Sequence, residues 1–394
     1  MKKYLELFIL LLLISFPSIS ALLFTPALPE IAQYFQILDR QAQTTMTLFL
    51  IGYTFGMLPY GPLANRFGRK KALLGGLGLA LMGTLFCFFA PSFQIFCLGR
   101  FLQALGAAAG LKVTFTMIGD RYQGSAATKS LATLTLAFGI MPGIGVAAGG
   151  FLTILWGWKG CFAFLSLYSL FLIAMSFFLP ETTKNIDLEA LRFKKIVLGY
   201  WNQLKNPYIL LTATMMGLAS AIIYIFGTVA PIVSMRLIGI SPDAFGLWNI
   251  VPSAGLVAGT LLARWLSGKQ KTSLVLLYGI ALMMFGSAAM GFCFKQNWIH
   301  QIPFFLTMFF IQAGDNLFWI NASSTGLSQA TDKSNASAVM QFINIGFAAI
   351  GTFISMNFSP REPMVLPTVF GCIAVMMLIV WSLTCRYQRK FQIE

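Results

Sequence analysis

The chain has 394 residues, of which 57% are hydrophobic and only 10% charged, and its formal net charge is +15. With a mean hydropathy of +0.77, it carries too few charges to give a body of this length a water-soluble surface. Composition excludes a soluble enzyme, a nucleic-acid binder and a disordered chain, and leaves an integral membrane protein.

Apolar stretches of helical span length recur along the chain, without the period-2 alternation of a barrel strand. Twelve spans are predicted, over 5–27, 44–64, 72–90, 94–118, 130–154, 159–179, 208–235, 246–264, 273–294, 302–327, 338–358 and 365–384. The fold class is therefore an all-α integral membrane protein. With Met1 assigned to the cytoplasm, twenty of the 27 Lys and Arg residues fall on that side, among them Lys2, Lys3, Lys70, Lys71, Lys129, Lys184, Lys194, Lys195 and Lys390. Five fall opposite, including Lys159, Arg236 and Arg361, and Arg100 and Lys112 lie inside span 4. This bias predicts an even number of spans and two cytoplasmic termini in the cell (inner) membrane. The excess charge then orients the chain and favours anionic headgroups rather than nucleic acid. Lys2 and Lys3 head a run that continues past Ser20–Ala21, which predicts a retained span rather than a cleaved signal. The six cysteines show no close CxxC pair, and are expected to be small buried hydrophobes.

One polar, charge-rich stretch, 180–207, divides the chain into six spans over 1–179 and six over 208–394. Within it, Asp187–Trp201 is expected to form a short amphipathic helix on the inner surface. Gly61-Pro-Leu-Ala-Asn-Arg66 after span 2 is echoed by Gly259-Thr-Leu-Leu-Ala-Arg264 at the end of span 8, roughly half the chain later. Two six-helix halves in tandem match the parallel-repeat plan of a large transporter class, with the substrate site at mid-membrane between them.

The loop Gly61-Pro-Leu-Ala-Asn65-Arg66-Phe-Gly68-Arg69-Lys-Lys71 resembles the signature G-x-L-A-D-R-x-G-R-K of the major facilitator superfamily. The resemblance implies gating by Gly61, Asn65, Arg66, Gly68 and Arg69, with Arg69 paired to Asp120 at the inner end of span 4. Asn65 stands where the family has an aspartate, so the lock there loses a charge. Span 4 carries Arg100-Phe-Leu-Gln103-Ala-Leu-Gly106-Ala-Ala-Ala-Gly110, which is similar to the superfamily motif R-x-x-Q-G-x-G-A-A associated with proton coupling. Arg100 either faces a hydrated chamber or snorkels to the outer interface. Span 5 reads Gly139-Ile-Met-Pro142-Gly143-Ile-Gly145-Val-Ala-Ala-Gly149-Gly150 and resembles the antiporter signature G-x-x-x-G-P-x-x-G-G. Pro142, Gly145 and Gly149 are thereby expected to form a tight but movable seam, and Trp156-Gly-Trp158 to close the span at the outer interface. Pro26-Ala-Leu-Pro29-Glu-Ile31 is similar to a segment of the bicyclomycin- and chloramphenicol-resistance branch of proton-coupled drug exporters. That branch has an aspartate where this chain has Leu22.

With that acid missing, Asp315 in span 10 is the one clear mid-span carboxylate and the candidate proton carrier, alongside Arg100. Gln312, Asn316 and Trp319 accompany it as one polar stripe. Lys112 is expected to face a wet cavity or a carboxylate, for which Asp315 is the natural partner. Tyr53, Gln103, Tyr224, Trp248, Gln341 and Asn344 are expected to complete the substrate cavity. The chain has no phosphate-binding loop, potassium filter or Ser/His/Asp set, so it reads as neither an ATP-driven pump, a potassium channel nor an enzyme, and it needs no cofactor or metal. The expectation is a monomeric twelve-helix secondary transporter of the major facilitator fold, working in the lipid bilayer on a small-molecule substrate and protons. By resemblance it exports drugs or metabolites. A second reading, moved by Leu22, Arg100 and Lys112, is import or export of an anionic metabolite such as a polycarboxylate siderophore, and a third is a non-transporting membrane sensor.

Overall fold

In the computed structural model the described residues are 2–121, 124–183, 185–330, 332–358 and 362–391, with side chains left out at 2–4, 124–139 and 390–391. The expected sidedness of Lys2, Lys3, Lys129, Lys184, Arg361 and Lys390 lies outside what is described. Every regular element among the described residues is a helix. The spans are α1 (Lys2–Leu22), α2 (Thr44–Gly56 continued by Tyr60–Phe67), α3 (Arg69–Phe88) and α4 (Phe93–Arg121). One long helix, Gly124–Ser176, holds α5 before Gly157 and α6 after it. Then come α7 (Pro207–Val233), α8 (Pro242–Trp248 continued by Ile250–Leu266), α9 (Thr272–Lys295), α10 (Gln301–Ser328), α11 (Lys333–Ser355) and α12 (Val365–Phe391). A separate linker helix covers Phe193–Leu204.

Nine described segments are long and apolar enough to cross a membrane, and one of them, Ile140–Ser176, contains both α5 and α6. The other two spans are interrupted or polar for visible reasons. In α2, Pro59 and Pro62 withhold the N–H groups that would bond the carbonyls of Phe55 and Leu58, so the helix breaks between Gly56 and Tyr60. In α10, Gln312, Asp315 and Asn316 lower the hydropathy of a 28-residue helix. The α5–α6 turn rests on Gly157, whose φ of 67° suits glycine, with the Glu30 carboxylate against the space a Cβ would take. Trp156 is exposed beside this turn, whereas Trp158 is buried in a cluster with Tyr34, Phe35, Phe96 and Phe162. Thus one indole of the expected pair lies at the surface and the other is core.

Small residues set the tightest packing. A Cβ at Gly106 would strike the backbone of Gly76 and Ala80, joining α4 to α3, and one at Gly314 would strike Gly279, joining α10 to α9. The same pairing thus recurs six spans later. The first six and last six spans meet mainly where α2 runs along α11 and α5 along α8. All six cysteines are free; Cys87, Cys97 and Cys161 are buried as expected, but Cys372 is exposed.

One end of the bundle, here the linker end, gathers the Glu6–Arg121 pair, the Tyr200–Leu58 contact and the Gln388–Tyr208 contact. At the far end, Thr47 and Thr352 hydroxyls are 3.1 Å apart, Thr44 and Thr47 donate toward the Met356 sulfur, and Arg236 reaches Asp39 at 3.4 Å.

Candidate functional site

A cavity of about 120 Å3 lies between the two sets of spans. Its wall draws on α1 (Ser18, Leu22), α2 (Tyr53), α4 (Leu111, Phe115) and α5 (Pro142), and on α7 (Ser220, Tyr224), α8 (Leu256), α10 (Asn316, Trp319) and α11 (Gln341, Asn344). Each set contributes its first, second, fourth and fifth helix. None of the described lining residues is charged. The polar groups are largely ordered by one another. Ser220 donates to Asn344 at 2.7 Å, Asn344 donates to Gln341 at 2.9 Å, and the Asn316 amide donates to the Leu256 carbonyl and Thr260 hydroxyl at 2.6 and 2.7 Å. Tyr53 differs: its hydroxyl is buried with no hydrogen-bond partner among the described residues. A donor held without a partner beside a cavity is a fixed point for a ligand oxygen or nitrogen.

Six of the side chains expected at the cavity are on its wall: Tyr53, Tyr224, Asn316, Trp319, Gln341 and Asn344. Pro142, expected only as a hinge, is there too. Leu22 lines the wall directly, so the position of the missing acid is an apolar patch of the cavity itself. Ser220 was not anticipated, although its place one helical turn before Tyr224 could have indicated it.

Six expected residues, Arg100 and Lys112 among them, are not on the wall. Trp248 stacks on Phe305 with ring centroids 5.9 Å apart. Gln103 sits inside the first six spans, donating to Thr84 at 2.9 Å and accepting from Arg100. Gln312 and Asp315 are buried beside the cavity rather than on it. The stripe on α10 divides: Asn316 and Trp319 line the cavity, while Gln312 and Asp315 are buried and not among its lining residues. Both Asp315 oxygens, Gln312 Oε1 and Ser287 Oγ are buried without a partner among the described residues. An isolated carboxylate is expensive inside a bilayer, and a proton removes its charge.

Arg100 is fully buried, which overturns the snorkelling alternative. Its guanidinium donates to the Ser20 carbonyl at 2.9 Å and to Gln103 at 2.5 Å. A longer contact of 3.5 Å reaches the Ala21 carbonyl. The group is flanked by the rings of Phe24 and Phe49 at 4.0 and 4.3 Å. It therefore caps the end of α1, where the orphan carbonyls carry the negative end of the helix dipole.

The expected Lys112–Asp315 pair does not form. Lys112 Nζ lies 3.4 Å from the Ser334 carbonyl, at the start of α11. Its place on α4 nearer Arg121 than Arg100 brings it to the linker end, and a Cβ on Gly61 would lie 3.7 Å from its Cε.

At that end Arg69 Nε lies 3.0 Å from Asp120, the pair that the resemblance implies, and Arg69 also donates to Asn65 at 2.5 Å. Arg66 lies over the adjacent Phe67 ring. Gly68 has φ of 95°, and a Cβ there would lie 2.6 Å from the Glu181 carboxylate. Glu181 accepts from the backbone N–H of Arg69 at 2.9 Å and Lys70 at 3.1 Å, so the linker supplies the N-terminal cap of α3. Burial pushes the Glu181 carboxyl up, but the N–H groups of Thr183, Lys70 and Arg69 outweigh it and hold the group below its ordinary value. On α5, Gly145 packs on Ile19, and a Cβ at Gly149 would collide with the Leu23 carbonyl. Gly143 and Gly150 turn instead to Ser253 and Pro242 of α8.

Comparison with known proteins places this geometry in context. A family model described as Major Facilitator Superfamily matches residues 8–356. An uncharacterised transporter of Rickettsia felis is 28% identical over 250 residues, covering 63% of this chain and 61% of that protein, so the chain spans less than two thirds of that relative. A bicyclomycin resistance protein homologue of Haemophilus influenzae is 25% identical over 376 residues, 92% of each chain. A crystal structure of a D-xylose–proton symporter superposes with a TM-score of 0.79 over 97% of this chain and 98% of that one, at 16% identity. That last likeness is one of fold.

Proposed function

We propose, for a chain that belongs to the Major Facilitator Superfamily and is therefore a membrane transporter, that it exports small neutral organic molecules in exchange for protons. The observation that carries the cargo class is the uncharged wall of the central cavity, with its ordered amides, its aromatic rings and the unpartnered Tyr53 hydroxyl. Such a wall rewards a molecule with a flat apolar face and a few hydrogen-bonding groups, and it gives a full charge no counter-ion. The anionic-cargo reading loses its footing, because neither Arg100 nor Lys112 is among the lining residues. The bicyclomycin resistance homologue supports export of a drug-like molecule.

In this reading the bodies that rock are 1–179 and 208–394, joined by 180–207, and the linker end is cytoplasmic because the basic residues gather there. Asp315 takes the coupling proton: ionised, it is an unpaired charge in the second body, and protonated, it is neutral. The two forms therefore favour different packings of α10 against α8 and α9. Arg100 serves coupling at one remove, by fixing the end of α1 that presents Leu22 to the cargo. Lys112, Arg69, Asp120, Asn65 and Arg66 gate the linker end, and Pro142, Gly145 and Gly149 form the seam on which α5 moves. A proton crossing 100 mV supplies about 2.3 kcal/mol, enough to concentrate a neutral cargo roughly fiftyfold at one proton each. The functional unit is a monomer.

The test is uptake into proteoliposomes under an imposed pH gradient, using bicyclomycin with matched neutral, cationic and carboxylate-bearing compounds. Neutral compounds should accumulate and collapse part of the gradient. Preference for carboxylates, or accumulation indifferent to the gradient, would sink the proposal.

A further inference from the structure

The linker helix presents three unlike flanks. Ile196, Gly199, Tyr200 and Gln203, spaced i, i+3, i+4 and i+7, are its more enclosed residues and turn toward the bundle. Phe193, Val197, Trp201 and Leu204, spaced i, i+4, i+8 and i+11, form an adjacent apolar row that the bundle leaves open; Phe193 is 80% exposed and Trp201 53%. The remaining arc carries Lys194, Lys195, Asn202 and Lys205 around one exposed leucine, Leu198, with Lys205 Nζ 5.9 Å from the centre of the Trp201 ring. Lys195 is engaged by Asp187 at 2.8 Å. Lys194 and Lys205 have no ion-pair partner among the described residues.

This helix also touches both sets of spans. The Tyr200 hydroxyl donates to the Leu58 carbonyl at 2.8 Å, which is the carbonyl that Pro62 leaves without its helical donor. On the same flank, a Cβ on Gly199 would lie 2.7 Å from the Asn335 side-chain amide. Asn335 in turn donates at 2.7 Å to Asp332, the residue that caps α11. One short helix therefore spans from the break in α2 to the start of α11.

An aromatic row next to a lysine arc matches the water–bilayer boundary, where rings enter the edge of the acyl region and ammonium groups meet phosphates. The geometry points to the linker helix as a docking surface for anionic phospholipid headgroups, with the lipid-held helix bracing α2 against α11. The occupant is the bilayer surface rather than a protein partner, because the basic arc and the aromatic row lie side by side on a helix at the end of a membrane bundle. The inference needs the membrane fold but not the cargo or the coupling ion.

Hydrogen–deuterium exchange on the full chain tests it, in nanodiscs of phosphatidylcholine alone and of phosphatidylcholine mixed equally with phosphatidylglycerol. Amides of Phe193–Leu204 should exchange on the order of tenfold more slowly in the anionic discs, since each lysine near such a surface contributes on the order of 1 kcal/mol. The double variant Lys194→Glu, Lys205→Glu should abolish the difference. Added salt should shrink it in the parent chain, a readout that needs no variant to fold. Tyr200→Phe should speed exchange in both discs yet keep the lipid dependence. Equal exchange in the two compositions, or a difference that survives both charge reversal and salt, overturns the proposal.

Discussion

α4 and α10 hold the same place in their respective sets of six, and each buries one charge, yet the two charges are treated in opposite ways. Arg100 is met by the carbonyls of Ser20 and Ala21, the Gln103 oxygen and two aromatic faces. Asp315 is equally buried, and neither of its oxygens has a partner among the described residues. Of the Arg100 nitrogens only Nε is buried without a partner among the described residues; a charge met on its other sides acts as a strut, and disturbing it costs structure. A charge whose environment is incomplete has a valence left for something that comes and goes. The contrast assigns stability to the first body and responsiveness to the second, and it makes the two positions separable by experiment.

The largest expected effect is at the strut. Arg100→Leu leaves the Gln103 Oε1 and two carbonyls at the end of α1 without the guanidinium that meets them, which should cost about 3 kcal/mol or more. Thermal unfolding of the purified protein should show a steep fall in Tm, and Arg100→Lys should recover part of it. A variant that melts with the parent would erase the contrast. Next comes Asp315→Asn, which should abolish accumulation driven by a pH gradient while leaving Tm equal or higher, because no ion pair is lost. A fall in Tm like that of Arg100→Leu would reveal a partner for the carboxylate and break the comparison from the other side. Tyr53→Phe should be silent in thermal unfolding, since its hydroxyl has no hydrogen-bond partner among the described residues, and should weaken cargo binding by about 1 kcal/mol, roughly fivefold. Ligand-induced shifts in Tm measure this.

The smallest effect is at Glu181. Its carboxyl is held below the ordinary 4.5 by backbone N–H groups despite partial burial. A depressed folded-state value means that the carboxylate stabilises the fold fully above the unfolded value and loses that contribution as pH falls through the folded one. Glu181→Gln should therefore melt lower than the parent near neutrality, with the gap closing as pH falls through the depressed folded-state value, below the ordinary carboxylate range. A gap that widens on acidification contradicts the capping role.

The twelve spans are legible in hydropathy because each must bury its backbone polar groups in its own hydrogen bonds. What hydropathy conceals are the joints. Pro59 and Pro62 stand in the middle of an apolar run, and Gly157 joins two spans into one long helical path. At the site, the polar stripe on span 10 pointed to Asn316 and Trp319, and helix number with the family resemblance pointed to Tyr53, Tyr224, Gln341 and Asn344, each a polar or amphipathic side chain that at mid-span must face something other than lipid. That requirement could not say which interior. Asp315 and Asn316 are neighbours in sequence, about 100° apart around α10, and of the two only Asn316 reaches α8 and the cavity wall. The depth of Lys112 in an apolar span demands a polar neighbour but does not name the helix waiting there. That neighbour proved to be the start of α11, a fact of tertiary packing with no local signature.

Beside the close packing of Gly150 on Pro242 and Gly246 on Ala147, the polar links across the far end are slight: one hydroxyl against another, a thioether within reach of two threonines, and a partly exposed arginine–aspartate pair. Single links of this kind are each worth about 1 kcal/mol or less. A door fastened by a few weak catches can be released and refastened at every turnover without melting its hinges. In the proposed exchange cycle, that lightness would let the affinity of a modest cargo, or one proton, decide which way the molecule next swings.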